Sequence, residues 1–142
     1  MTRYILTIPG EPTAKGRPRH GKGFTYTPQK TVNYENLVKI LFVEKYGQAE
    51  LMTGELKVEI LAYFGIPKST SKKKALDMRL GIIRPTKKPD TDNIAKIVLD
   101  ALNNIAYKDD SQVVELTVIK YYAETPSVEV TIEIENKIIE KE

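Results

Sequence analysis

Residues 88–116 read KPDTDNIAKIVLDALNNIAYKDDSQVVEL, and this stretch carries the clearest helical pattern in the chain. Its apolar residues recur at intervals of three and four, as side chains on one face of a helix do. They are Ile94, Ile97, Val98, Ala101, Leu102 and Ile105. The pattern predicts a buried amphipathic helix of about twelve residues. Its opposite, polar side carries Asp92, Lys96, Asp100 and Asn103.

An acidic pair stands at each end of this predicted helix. Asp90 and Asp92 lie at its start, and Asp109 and Asp110 come just before a strand predicted over residues 113–122. The helix runs away from the first pair, so the chain has to return if Asp110 is to approach Asp92. Sequence spacing alone does not show whether it does.

Paired carboxylates beside a lysine suit phosphodiester hydrolysis. Hard cations such as Mg²⁺ bind carboxylate oxygens, and a bound cation can activate water and neutralise a leaving oxygen. Lys96, one helical turn after Asp92, can pair with a phosphate. Simpler explanations stay open at this point. Asp90 or Asp92 can be a helix N-cap, Asp92 and Lys96 a surface salt bridge, and Asp109 with Asp110 ordinary turn residues.

The rest of the chain alternates strands and helices only in part. Strands are predicted over residues 3–8, 23–26, 55–64 and 128–134. One helix is expected to begin at Thr27-Pro28, with Thr27 as N-cap, and to be closed by Gly47. A short helix is expected from Lys72 to Leu80, capped by Ser71 and stopped by Gly81. We therefore expect one compact α+β domain over residues 1–142, with a mixed sheet packed against helices and a fraying tail from Asn136.

Composition excludes several classes of site. The chain has no cysteine and a single histidine, His20, so thiolate sites and zinc sites built from several histidines are impossible. A metal would be held mainly by oxygen, which favours Mg²⁺ or Mn²⁺.

No apolar run reaches the roughly 20 residues of a membrane span. We expect no signal peptide, no small-molecule cofactor and a cytoplasmic protein.

Positive charge is concentrated in two regions, although the net charge is only +3. Residues 1–30 hold six Lys or Arg against one Glu, and residues 66–96 hold nine against three Asp. Such regions favour contact with a polyanion. The predicted DNA contacts are Lys15, Arg17, Arg19, Lys22, Lys87 and Lys88. Phe24 and Tyr26 border the loop at residues 15–22 and either stack on unpaired bases or, for Tyr26, belong to the core.

Residues 88–116 closely resemble the RusA family of Holliday junction resolvases. The shared pattern is Asp-x-Asp-Asn at residues 90–93, Lys96, Asp-Ala-Leu at residues 100–102 and Asp-Asp-x-Gln-Val at residues 109–113. Residues 15–19 (KGRPR) and 26–31 (YTPQKT) also look like the phage and prophage branch. The resemblance covers most of the chain.

That resemblance implies a RusA-like fold and a structure-selective endodeoxyribonuclease. Asp90, Asp92 and Asp110 correspond to the family's catalytic, metal-binding aspartates, and Lys96 to its catalytic lysine. The implied enzyme is a homodimer that makes paired cuts in a four-way DNA junction with Mg²⁺ or Mn²⁺. We expect Asp100 to be structural, whereas Asp109 could act behind the metal ligands.

Two other functions remain open from the residues. One is a non-catalytic basic module that binds DNA, with the aspartates serving as caps and turns. The other is a metal-dependent nucleotidyl- or phosphotransferase, which also favours paired aspartates. The chain lacks a Gly-rich phosphate loop of the Walker type, which lowers the second alternative.

Overall fold

A computed structural model describes residues 3–135 of the chain. The strands are β1 (Arg3–Pro9), β2 (Arg19–Gly21), β3 (Phe24–Tyr26), β4 (Leu56–Gly65), β5 (Val113–Ala123) and β6 (Ser127–Ile134). The helices are α1 (Gln29–Tyr46), α2 (Lys72–Arg79) and α3 (Thr91–Ala101), and a 3-10 turn spans Asp110–Gln112. The expected fraying of the tail from Asn136 lies outside the described residues.

A four-stranded mixed sheet forms the framework. Its strand order is β1-β6-β4-β5, and β2 with β3 makes a separate hairpin. β4 and β5 are parallel, whereas β6 is antiparallel to both β4 and β1. The chain between β4 and β5 carries α2 and α3, because parallel neighbours require a crossover. The α+β class and the mixed sheet predicted from the sequence are confirmed.

One apolar core joins the sheet to α1 and α3. Alternate residues of β4 are buried, as the two-residue period of a strand predicts. β6 contributes Val128, Val130 and Ile132, while α1 contributes Tyr34, Val38 and Phe42. The predicted stripe of α3 is buried from Ile94 to Leu102. None of the helices in the described part of the chain is long and apolar enough to cross a membrane.

Two predicted helix boundaries are wrong. α1 has Pro28, not Thr27, at its N-cap, and no side chain caps it there. α3 ends at Ala101, so Ile105 is not part of the helix. The chain breaks from helical geometry at Asn104, which has a φ of 63°. Ile105 still packs against the core, but from the turn that follows the helix. Ser71 caps α2 as predicted, by accepting a hydrogen bond from the Lys74 N–H.

Tyr107 fastens that turn to the end of α3. Its side chain is fully buried, and its hydroxyl donates a 2.6 Å hydrogen bond to the Leu99 carbonyl. This bond satisfies a carbonyl in the last turn of the helix, where backbone partners run out. It also fixes the chain that leads into Asp109 and Asp110.

A matched pair of variants tests this contact. Tyr107→Phe should lower the free energy of unfolding by about 1–3 kcal/mol, because the Leu99 carbonyl loses its donor. Tyr34→Phe serves as the control, since the buried Tyr34 hydroxyl has no hydrogen-bond partner among residues 3–135. It should leave stability unchanged or raise it. Urea unfolding measures both, and equal losses in the two variants would contradict the role given to Tyr107.

Candidate active site

α3 carries its charged residues on the side that faces away from the core. Asp90 is the N-cap residue in extended conformation, yet its side chain makes no capping hydrogen bond. The Asp90 carboxylate therefore does not cap the helix, although the residue is at the N-cap position. Asp92, Lys96 and Asp100 follow at intervals of four residues and line one face of the helix.

Asp100 lies between two ammonium groups. Its Oδ2 is 3.8 Å from Lys96 Nζ on the same helix and 3.4 Å from Lys15 Nζ, which comes from the loop before β2. The Asp100 side chain is 23% exposed, whereas that of Lys96 is 62% exposed. Lys96 thus pairs with Asp100, and the described residues show no ion pair between Lys96 and Asp92.

Lys15 joins Asp100 and Lys96 from outside α3. With Glu35 and Asp110, these residues form what we call the cluster. The Lys15 Nζ is 3.0 Å from Oε1 of Glu35 on α1, so one ammonium group joins acids on two helices. Partial burial by itself lowers the pKa of Lys15. Hydrogen bonding to Glu35 and the negative charges of Glu35 and Asp100 outweigh that effect and raise the pKa above its ordinary value.

A 3-10 turn after α3 brings Asp110 near Asp100. Asp109 begins the turn by accepting a hydrogen bond from the Ser111 N–H. Hydrogen bonding with the Ser111 side chain, and then with its N–H, lowers the pKa of Asp109. The Gln112 side chain accepts from the Asp109 N–H and completes a capping box. The Asp110 N–H donates to Oδ1 of Asn103 at 2.9 Å. The Asp109 carboxylate therefore stabilises the turn, whereas the Asp110 carboxyl group interacts with Asp100.

The Asp100 carboxylate is near enough to Asp110 to raise the pKa of Asp110. Burial raises the pKa of Asp110, and the negative charges of Asp100 and Asp109 and side-chain hydrogen bonding with Asp100 raise it further. Two carboxylates that face each other repel unless a proton or a cation lies between them. Their oxygens are the donors that Mg²⁺ and Mn²⁺ prefer, so their chemistry fits such an ion.

The predicted metal ligands fall into two groups in one chain. Asp110 is beside Asp100 near the end of α3, whereas Asp90 and Asp92 are at its start. The eight residues from Asp92 to Asp100 correspond to about 12 Å along the helix axis. Within residues 3–135, no three acidic side chains of one chain are grouped closely enough to hold a metal ion.

Two members of the cluster were not expected from the sequence. Asp100, expected from the sequence to be structural, contacts Lys15 and Lys96 and is near enough to Asp110 to raise its pKa. Its place on the polar face of α3, beside Lys96, was the feature of the sequence that indicated a position near the site. Glu35 carried no signal, because only the packing of α1 against α3 brings it near the site.

Most of the predicted DNA contacts are exposed. Arg17, Arg19 and Lys22 protrude from the loop and hairpin that precede α1, and Lys87 and Lys88 are exposed just before α3. Arg17 and Arg19 also line a cavity of about 390 Å³ with Lys30. Lys15 differs from these residues, since its side chain is only 23% exposed.

The β2–β3 hairpin displays two aromatic rings and the histidine. Phe24 and Tyr26 are 60% and 45% exposed, with ring centroids 5.8 Å apart. Tyr26 is therefore not a core residue, and both rings are accessible for stacking. His20 Nδ1 is 3.3 Å from the Thr25 hydroxyl.

Comparisons with known proteins identify a family. A family model described as "Endodeoxyribonuclease RusA" matches residues 9–133. The chain is also 43% identical over 133 residues to a protein of Bacillus subtilis (strain 168) named "Uncharacterized protein YqaN". That alignment covers 89% of this chain and 93% of the relative. The residues matched by the family model include Glu35, Asp90, Asp92, Asp100 and Asp110.

The crowding of Asp110 predicts a pH-dependent gain in stability when its charge is removed. Well below pH 3.8, the ordinary pKa of an aspartate, Asp110 is protonated in the native and unfolded chain, so Asp110→Asn should have little effect. As the pH rises through the raised native pKa, ionisation opposes folding. In metal-free buffer at pH 7, Asp110→Asn should therefore stabilise the protein, by less than about 1 kcal/mol because the site is partly solvated.

Asp92→Asn is the matched control for this measurement. Asp92 is in the first turn of α3, where a negative charge interacts favourably with the helix dipole. Its removal should cost about 0.3–1 kcal/mol at pH 7. Urea unfolding at pH 3 and pH 7 compares the two variants. A loss of stability in Asp110→Asn at pH 7 would show that the carboxylate is not crowded.

Proposed function

Because this chain belongs to the RusA family of endodeoxyribonucleases, we propose that it resolves four-way DNA junctions by metal-assisted phosphodiester hydrolysis with paired nicks. The observation that carries the proposal is the Asp100–Asp110 pair flanked by Lys96, within the segment that resembles the family's catalytic motif. Family membership favours this reading over a non-catalytic binding module and over a phosphotransferase.

The proposed ligands of the cation are Asp90, Asp92 and Asp110, and we add Asp100 as a fourth carboxylate because it is near Asp110. All are oxygen donors, which suits Mg²⁺ or Mn²⁺. When bound, such an ion lowers the pKa of a water nucleophile and neutralises the charge that develops on the leaving oxygen. Lys96, which is well exposed, is placed to pair with the phosphate that is cut.

We further propose that the active enzyme is a homodimer and that two copies complete each set of ligands. Support comes from the separation of the acids along α3, since one chain leaves Asp92 about 12 Å of helix axis away from Asp100, and Asp90 lies further still. The proposal requires a two-fold dimer in which the start of α3 in one copy approaches the Asp100–Asp110 pair of the other. Two equivalent sites also suit a junction in which two strands of like polarity are cut.

The basic loop is the proposed phosphate-binding surface. Arg17, Arg19 and Lys22 are exposed there, and Lys87 and Lys88 extend the positive charge to the start of α3. Cations that contact phosphates fix the position of the DNA without reading its sequence. Phe24 and Tyr26 can stack on bases that are unpaired at the branch point.

Cleavage of a labelled four-way junction tests the proposal. With Mg²⁺ the wild-type protein should make symmetric nicks in the junction and leave a linear duplex of the same sequence intact. Asp110→Asn and Asp90→Asn should each lower the cleavage rate at least about 100-fold, because each removes a charged ligand of the cation that stabilises the reacting phosphate. Chelation of the metal should have the same effect on the wild type.

The neighbouring residue provides the control. Asp109→Asn is the same change one position earlier, and asparagine also serves as a cap, so cleavage should stay within a few-fold of wild type. Equal cutting of the linear duplex would indicate a general nuclease. A junction bound but not cut, with no response to Asp90→Asn, would favour the non-catalytic binding module.

A further inference from the structure

Lys15 belongs to the basic loop by sequence but not by environment. Arg17, Arg19 and Lys22 of the same loop are exposed, whereas the Lys15 side chain is mostly covered. Its ammonium group lies 3.0 Å from Glu35 Oε1 and 3.4 Å from Asp100 Oδ2. Both acids are partly buried, at 15% and 23% exposure, so solvent screens these pairs less than it screens surface pairs.

The backbone next to Lys15 is held as well. The Gly16 N–H donates a 2.9 Å hydrogen bond to Oγ1 of Thr31, a buried residue in the first turn of α1. A Cβ atom at position 16 would lie 2.7 Å from that oxygen and 2.9 Å from Cγ of Pro28. The chain is therefore pressed against the start of α1 at this point, and glycine permits the approach. The loop is anchored here and extends outwards after Gly16.

A phosphate contact by Lys15 would break both ion pairs. It would leave Glu35, the least exposed acid of the cluster, without its positive partner. Removing one member of a covered ion pair is unfavourable because the other charge stays desolvated. The exposed cations of the loop contact a phosphate without this cost.

From this geometry we infer that Lys15 is a positioning residue, which fixes the Asp100 carboxylate next to Asp110 with Glu35 as its second anchor. The inference rests on the proposed function of the Asp100–Asp110 site. It separates two roles within one loop: Arg17, Arg19 and Lys22 bind DNA, and Lys15 ties that DNA-binding segment to the acids that act on the phosphate.

Cleavage rate and salt dependence of binding distinguish positioning from phosphate contact. Lys15→Met should lower the single-turnover cleavage rate at saturating protein by about 10- to 100-fold, because misplacement of a site residue by about 1 Å has effects of that size. Binding to the uncut junction should keep its dependence on salt. Lys15→Arg should recover most of the rate, since a guanidinium can also bridge two carboxylates. Glu35→Gln should lower the rate in the same direction as Lys15→Met.

Two further lysines calibrate the measurement. Lys22→Met should reduce the slope of log affinity against log salt by about 0.9, as loss of one phosphate contact does. Lys39→Met changes a lysine of α1 that has no ion pair within the described chain, and it should preserve both the slope and the cleavage rate. If Lys15→Met reduces the slope as Lys22→Met does while the saturating rate stays at the wild-type value, Lys15 contacts phosphate and the inference is wrong.

Failure of folding and failure of the proposed function give separate results. If Lys15→Met does not fold, the cleavage rates of Glu35→Gln and Lys15→Arg test the inference in its place. A wild-type cleavage rate in Glu35→Gln would then overturn the inference. Should the wild type cut no junction, the proposed function fails, and the ¹³C resonance of the Asp100 carboxyl group tests positioning without activity. That resonance should move in Lys15→Met and return towards its place in Lys15→Arg. An unmoved resonance in Lys15→Met would overturn the inference.

Discussion

Burial of the apolar side of α3 is the constraint on which the candidate site depends. Ile97 and Val98 are fully buried in the core that joins this helix to the sheet. Their burial fixes the rotation of the helix, because turning it would expose apolar surface at about 25 cal/mol per Å². The charged residues at intervals of four are consequently held on one outward face, where Lys96 and Asp100 pair. Core packing and site geometry are thus two consequences of one helical period.

The site itself is a balance between repulsion and attraction. Asp100 and Asp110 oppose each other, and the pKa of Asp110 is raised as a result of burial and of its acidic neighbours. Lys15 and Lys96 offset part of that negative charge from two different elements. A pair of carboxylates kept together in this way is unfavourable for the fold alone. It suits a site that binds a divalent cation, which is consistent with membership of a nuclease family.

α1 connects the regions that carry the proposed function. Thr31, in its first turn, holds the backbone of the basic loop, and Glu35, one turn later, holds the Lys15 ammonium group. The same helix packs against α3 through its buried side. A segment proposed to bind DNA is therefore fixed to α1, which packs against the helix that carries Asp92 and Asp100, so ordered contacts set its position relative to those acids.

The sequence by itself determined the local features of this protein. Periodicity predicted the strands β1, β4, β5 and β6 and the buried stripe of α3, because a side chain's direction follows from its place in a helix or a strand. The motif at residues 88–116 indicated the family, and the family match confirmed it. Boundaries were less accurate, at Pro28 and after Ala101, since helix ends depend on individual caps and turns.

Tertiary structure decided which charges meet. Lys15, Glu35 and Asp100 come from a loop and two helices, and nothing in their sequence spacing relates them. The separation of Asp90 and Asp92 from Asp110 likewise depends on where the turn after α3 places the chain, which Tyr107 and Gln112 fix through hydrogen bonds. Such contacts follow from how elements pack in three dimensions. A pattern with a period of two or four residues carries no information about them.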